Sequence, residues 1–336
     1  MTTHGRPVHG GPDALGVPAH DFSTNGNACG PCPDVQAALR AVDATHYPDP
    51  TYTALRERLA AFHGVAASRI VIAASASEFI FRITAVVAQR GGTAVLPALA
   101  YGDYARAALA ARMPVWRDGD APAKGSSLHW FCEPSSPLGH SDPRLHARLD
   151  ALSPAEVFVI DRAYEPLRLG EPLAIDAARL DRAWQLWTPN KALGLTGIRG
   201  AYAIAPAASQ PWVDAMALHA PSWPVGAHGV ALLDAWTVPA TQQWLAASLH
   251  TLRTWKRHQL DLCRHIGWTC LPSDANFFCA APPVADIAAL CAAMREQGVK
   301  LRDTASFGLP GHVRMAVLAP GSQAALEDAW RVRGIR

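Results

Sequence analysis

Trp184-Gln-Leu-Trp187-Thr188-Pro-Asn-Lys191-Ala-Leu-Gly-Leu-Thr-Gly-Ile-Arg199-Gly200-Ala-Tyr-Ala-Ile204 reads as a short apolar run, a turn that carries one lysine, and a second short apolar run. Lysine is rarely set among small and apolar neighbours unless it is paired or used. No acid stands between Lys191 and Arg199, so nothing within the stretch neutralises the amine. Desolvation and a nearby cation both lower a lysine pKa, which frees the amine to attack a carbonyl. The plainer alternative is a solvated loop lysine beside a surface arginine. The chain around the stretch argues for the reactive one.

Working outward, similar apolar runs recur at residues 69–73, 93–96, 128–132 and 156–160. Between them lie an amphipathic helix ending near Gly64, the apolar helix 79–89 and an alanine-rich helix after Tyr104. Short, almost unbroken strands alternating with helices predict an α/β fold with a mostly parallel sheet covered on both faces. In such sheets the chemistry collects at the carboxyl ends of the strands. Ser75, Tyr101, Ser136, Asp161 and Lys191 all fall just past strand ends, and that shared placement predicts a single active site. Ser75-Ala76-Ser77-Glu78 also joins a strand to a helix, where free backbone N–H groups suit an anion. A serine N-cap with Glu78 in the first turn is the simpler account of the same residues.

From Trp223-Pro-Val-Gly226 onward the pattern changes. A long helix over 240–265, short strands at 269–271, 276–280 and 313–317, and helices over 284–297 and from 322 predict a small α+β domain. The expected division is a large domain over residues 34–225 and a small domain of 226–336, joined by the arm 1–33. That arm is rich in Gly, Pro and His and contains Cys29-Gly-Pro-Cys32, letter for letter a redox dithiol motif. The redox reading needs the pair at a strand-to-helix junction. No strand-like run precedes it, so a loop leading into a proline-initiated helix is expected instead.

Composition excludes several classes. Of 336 residues half are hydrophobic and 17% charged, which describes a globular chain long enough for about two domains. A formal net charge of +2 without a basic block leaves no electrostatic footprint for nucleic acid. The N-terminus lacks the apolar core of a signal peptide, and no run approaches the ~18 apolar residues of a membrane span. Seven cysteines without a framework spacing fit a reducing cytoplasm, and no metal site is expected.

Taken together, these residues resemble the pyridoxal-phosphate enzymes of aminotransferase class I/II, fold type I. Within that class they are most similar to the histidinol-phosphate aminotransferase and threonine-phosphate decarboxylase branch. The resemblance runs from His9 to Arg314 and implies a seven-stranded, mostly parallel sheet between helices, with a small α+β domain. It implies pyridoxal 5'-phosphate as cofactor, with Lys191 bonding to the cofactor aldehyde and then moving protons. By the same resemblance Thr188, Arg199 and the turn Ser75-Ala76-Ser77 hold the cofactor phosphate. Asp161 pairs with the pyridine nitrogen and keeps it protonated, so that the ring can accept electrons. Tyr164 bonds the ring hydroxyl, Tyr101 stacks on the ring, and Ser136 stands where an asparagine usually meets the ring oxygen. Tyr47 matches a tyrosine that reaches the phosphate of a neighbouring subunit, which implies a homodimer with shared active sites. Arg314 matches the arginine that clamps a substrate carboxylate, a task suited to its planar fork. His9, Asn25 and Arg302 complete the expected substrate side.

Two departures stand out. Glu133-Pro-Ser-Ser-Pro-Leu-Gly139 replaces the family's Asn-Pro-Asn-Asn-Pro-Thr-Gly, and Ser77 stands where an acid is common. The arm, with His9-Gly-Gly11 and Asp21-Phe-Ser-Thr-Asn25, resembles the opening of threonine-phosphate decarboxylases of cobamide synthesis. Decarboxylation of a small phosphorylated amino acid is therefore the first expectation. The alternative is transamination, of histidinol phosphate or another amino acid. The two reactions differ in which Cα bond stands perpendicular to the conjugated ring. A third reading is a cofactor-bound protein with a binding or regulatory role, against which an intact Lys191 argues.

Overall fold

The computed structural model describes residues 10–117 and 127–332. A seven-stranded sheet forms its centre, in the order Ile70–Ala73, Ala201–Ile204, Trp184–Trp187, Glu156–Asp161, Ser127–Cys132, Thr93–Leu96, Val115–Arg117. Only Ala201–Ile204 runs against the rest; it pairs antiparallel with both of its neighbours. The expected mostly parallel α/β sheet is thus present. Edge strand Val115–Arg117 was not anticipated, because its residues are exposed and lack the apolar run that marks the others.

The unbroken apolar strands have a simple cause. Successive strand residues face opposite sides, so a strand covered on both faces must be apolar at every position. Val71, Val159 and Ala203 enter a core with Phe79, Ile83, Trp130 and Trp184 beneath the helix Ala76–Gln89. Their neighbours Ile70, Ile72 and Tyr202 face the other side, packing with Leu59, Leu232 and Leu252 of three helices.

A second, four-stranded antiparallel sheet follows the order Arg302–Asp303, Val313–Ala316, Phe277–Ala281, Thr269–Cys270. It joins the long helix Pro239–His265 and the helices Ile287–Glu296 and Pro320–Val332 in the same core as the second face of the large sheet. The arm is better ordered than its composition suggests. His20–Asp21 pairs in parallel with Val299–Lys300, and the Phe22 carbonyl accepts from Ala316 N–H at 2.8 Å.

Cys29-Gly-Pro-Cys32 serves packing. Cys32 N-caps the proline-initiated helix Pro33–Arg40, and its N–H reaches the Leu193 carbonyl at 2.9 Å. Gly30 lies against Gly194, where a Cβ on Gly194 would sit 2.9 Å from the Gly30 Cα. All seven cysteines are unbridged.

Behind the sheet, His63 Nε2 lies 2.7 Å from the Tyr202 hydroxyl, which itself accepts from Trp236 Nε1 at 3.1 Å. The Tyr202 proton is therefore free to bond a neutral imidazole. Burial, then the charge of Arg162, holds the His63 pKa down to about 4 from its ordinary 6.5. The unfolded chain takes up that proton first, so stability should fall as pH drops from 6.5 through 4. Urea unfolding between pH 7 and pH 4 should show the wild type losing more stability than His63→Phe, which cannot titrate. Parallel pH profiles for the two proteins would remove His63 as the cause.

Candidate active site

A cavity of about 540 Å³ opens where the carboxyl ends of the parallel strands meet the small sheet and the arm. Lys191, Arg199, Tyr101, Tyr164, Asn25, Arg302 and Arg314, all expected site residues, line it. Ser77, Ser136 and Thr188 each stand one contact behind its wall. Ser77 Oγ donates to Asp103, Arg314 Nη1 donates to Ser136 Oγ at 3.0 Å, and Thr188 Oγ1 donates to Asn190. Asp103, Arg314 and Asn190 themselves line the cavity.

Lys191 follows the strand Trp184–Trp187 through a turn whose main chain is tied down. Its carbonyl accepts from Asn27 N–H at 2.8 Å and from Gly194 N–H at 3.2 Å. Its Nζ lies 5.3 Å from the centre of the Tyr164 ring, and among the described residues no carboxylate comes within 4 Å. The amine is therefore placed on an aromatic wall and left unneutralised.

Asp161 ends the central strand Glu156–Asp161 and is 4% exposed. Its Oδ2 accepts from the Tyr104 hydroxyl at 2.7 Å and its Oδ1 from Ala163 N–H at 3.0 Å. Burial pushes its pKa up, while Tyr104, the Ala163 amide and the Lys191 charge pull it back. Tyr104 is itself clamped, stacked on Trp130 at 4.4 Å. The sequence alone gives Tyr104 no assigned role. Its spacing of three from Tyr101, at the start of a helix, was the available signal.

Ser75 N-caps the helix Ala76–Gln89, its hydroxyl accepting from Glu78 N–H at 3.1 Å. The cap and the anion-binding turn are thus compatible readings, because the first N–H groups of the helix remain for a ligand. Arg199 enters the cavity from the amino end of the reversed strand Ala201–Ile204. Running antiparallel places that end at the same edge as the carboxyl ends of its neighbours, which is how Arg199 and Lys191 come together.

Arg302 and Arg314 face each other across paired strands, 6% and 7% exposed. Both guanidinium groups lie over Phe307, at 4.8 and 5.0 Å. Burial, then the charge of Arg314, pushes the Arg302 pKa down to about 10. Two buried like charges this close are costly and favour an anion between them. Arg314 Nε and Asn25 Oδ1 are buried with no hydrogen-bond partner. Asn25 Nδ2 reaches the Tyr164 hydroxyl at 3.5 Å.

His9 lies outside the described residues, although its neighbour Gly10 lines the cavity. A side chain at Gly10 would collide with the Ser23 carbonyl at 2.2 Å, which explains the glycine. Tyr47 is 77% exposed, stacks on Trp223 at 4.5 Å, and takes no part in the cavity of its own chain. Ser136 engages Arg314, where the family asparagine was expected to meet the cofactor.

The donor set fits pyridoxal phosphate. An unneutralised lysine, a buried carboxylate, an aromatic wall and a helix N-terminus with Arg199 match an aldehyde, a ring nitrogen, a ring face and a phosphate. If Tyr104 helps keep Asp161 ionised, Tyr104→Phe should raise the Asp161 pKa, since a charge-assisted bond contributes about 1.5–3 kcal/mol. The acid limb of the pH–rate profile should then move up by roughly 1–2 pH units. An unmoved limb would show that Tyr104 only fills space.

Comparison with known proteins bears on the family and the fold. The family model for aminotransferase class I and II matches residues 19–332. Histidinol-phosphate aminotransferase of Symbiobacterium thermophilum is 28% identical over 94% of this chain and 91% of its own length. Histidinol-phosphate aminotransferase from Sinorhizobium meliloti, solved with pyridoxal 5'-phosphate, shares the fold with a TM-score of 0.75 at 21% identity, covering 92% of this chain and 90% of that one. L-threonine-O-3-phosphate decarboxylase from Porphyromonas gingivalis has the same TM-score, 0.75, and 21% identity, over 92% and 96% of the two chains.

Proposed function

The chain belongs to the aminotransferase class I and II family and is pyridoxal-phosphate dependent; from that premise we propose that it transfers an amino group at Cα of a small, anionic amino compound such as histidinol phosphate. This corrects the order of the expectations, which put decarboxylation first. Curated relatives matched over most of their length are histidinol-phosphate aminotransferases, whereas the decarboxylase is a likeness of fold.

The observation that carries the reading is the Arg302–Arg314 pair, which lines the same cavity as Lys191. A transaminase binds two substrates in turn at one site. Two paired guanidinium groups accept either a dicarboxylate donor or a phosphate ester, because both present oxygens to a planar fork.

Pyridoxal phosphate, when bound, supplies an aldehyde for the substrate amine and a ring that withdraws electrons from Cα. Lys191 would hold the cofactor at its aldehyde, and its amine is placed to take the proton from the substrate's Cα and return it. Asp161 would keep the ring nitrogen protonated, Tyr164 would bond the ring hydroxyl, and Tyr101 would cover the ring. Arg199, Thr188 and the Ser75–Ser77 turn would hold the phosphate, and Ser136, bonded to Arg314, would orient it for the substrate. Tyr47 completes the phosphate site of a second copy, an assignment supported by its exposure and its absence from the cavity of its own chain. A homodimer follows, with C2 the commonest symmetry. The division into residues 34–225 and 1–33 plus 226–336 is supported by the pairing of His20–Asp21 with Val299–Lys300. Unbridged thiols at all seven cysteines support a cytoplasmic location. Among the described residues no helix is long and apolar enough to cross a membrane.

Decarboxylation of a phosphorylated amino acid is the second reading. It is favoured by one observation, that Gly10, Ser23, Thr24 and Asn25 of the arm line the cavity beside the two arginines. With histidinol phosphate and 2-oxoglutarate the transaminase reading predicts steady glutamate formation. With threonine phosphate and no keto acid it predicts no repeated turnover. Sustained carbon dioxide release in the second assay would replace it with the decarboxylase.

Lys191→Ala should abolish the visible band that pyridoxal phosphate gives with the wild type, and should cost at least about 10²–10⁴-fold in turnover. A variant that keeps both would exclude Lys191 from the chemistry.

A further inference from the structure

Asp103 sits in the first turn of the helix Gly102–Ala110, where an acid ordinarily faces solvent and the helix dipole. Here it is 3% exposed and yet lines the cavity. Three donors from three places end on its carboxylate. Oδ2 accepts from Ser77 Oγ at 2.5 Å and from the Tyr101 hydroxyl at 2.9 Å, and Oδ1 accepts from Arg106 Nη1 at 3.0 Å. A buried carboxylate is tolerated only when so compensated.

Each bond constrains a different part of the site. The Ser77 hydroxyl proton is committed to Asp103, so at this helix N-terminus an anion is left to the main-chain N–H groups. The Tyr101 proton is committed too, and burial holds that phenol neutral with its ring set as a wall. Arg106, a cavity residue whose side chain is 47% exposed, is drawn to the rim and lies 5.0 Å over Phe81.

We propose that Asp103 is a positioning residue of the cofactor site, one carboxylate that sets the phosphate turn at Ser77, the ring wall at Tyr101 and the rim cation Arg106 together. The inference rests on the assignment of this cavity to pyridoxal phosphate. Asp103 acts through its three partners, and its loss should loosen the cofactor at both the phosphate and the ring.

The test uses the holoenzyme and follows loss of the visible cofactor band after transfer to cofactor-free buffer. Asp103→Asn, nearly the same shape without the charge, should release cofactor about tenfold faster or more. Ser77→Ala and Tyr101→Phe each remove one bond and should speed release less. Because Ser77 and Asp103 act as one unit, the double variant should be no worse than Asp103→Asn alone. Asp103→Glu, which keeps the charge, should recover part of the retention. If Asp103→Asn does not fold, non-additive release in the Ser77→Ala/Tyr101→Phe pair carries the same test. Unchanged release in Asp103→Asn, or effects that multiply, would overturn the proposal. A wild type that forms no visible band with pyridoxal phosphate would instead overturn the cofactor assignment beneath it.

Discussion

The hydrogen bond from Asn27 N–H to the Lys191 carbonyl, 2.8 Å long, is the constraint on which the site depends. It ties the arm to the lysine turn from below. The Asn27 side chain extends the tie to the Ala192 carbonyl at 3.0 Å and to Ser248 Oγ at 2.7 Å on the long helix. Asn276 beside the small sheet donates to the carbonyls of Asn25 and Gly26, so one stretch of arm bonds the lysine turn, the long helix and the small sheet's flank. A lysine on a free turn would sample many positions. This one is held at its main chain while its amine stays unpaired, the arrangement a positioned nucleophile needs.

Charge is the second organising quantity. Among the described residues five basic side chains, Arg106, Lys191, Arg199, Arg302 and Arg314, line the cavity against one acid, Asp103. In a partly buried site that excess raises the cost of leaving the cavity without an anion. It fits a phosphorylated cofactor and an anionic substrate at once. The buried Asp161 is held by Tyr104 and the Ala163 amide, and the charge of Lys191 on the basic wall also favours its ionised form.

Much of this was legible in the residues. Unbroken runs such as Trp184–Trp187 revealed buried strands, because a strand covered on both faces has no polar position to show. Residues just past those runs were site candidates for the same topological reason. Of these, Tyr101 and Lys191 line the cavity, Ser136 bonds the lining residue Arg314, and Ser75 and Asp161 are not among the lining residues. Val115–Arg117 escaped because an exposed edge strand carries no such mark. Asp103 escaped because an acid in a first helical turn has an ordinary explanation, and nothing local tells that three donors converge on it.

The amino-acid sequence by itself determined the alternation of strands and helices, the lone lysine among small and apolar residues in its turn, and the order in which candidate residues leave the sheet. These are local or periodic properties, written in side chains a few positions apart. Only the tertiary structure decided that Arg302 stands opposite Arg314, that Tyr104 supports Asp161, and that Cys29-Gly-Pro-Cys32 packs Gly30 onto Gly194. Such pairings join residues far apart in the chain. They depend on strand register and close backbone approach, which packing of the whole core selects and no short stretch encodes.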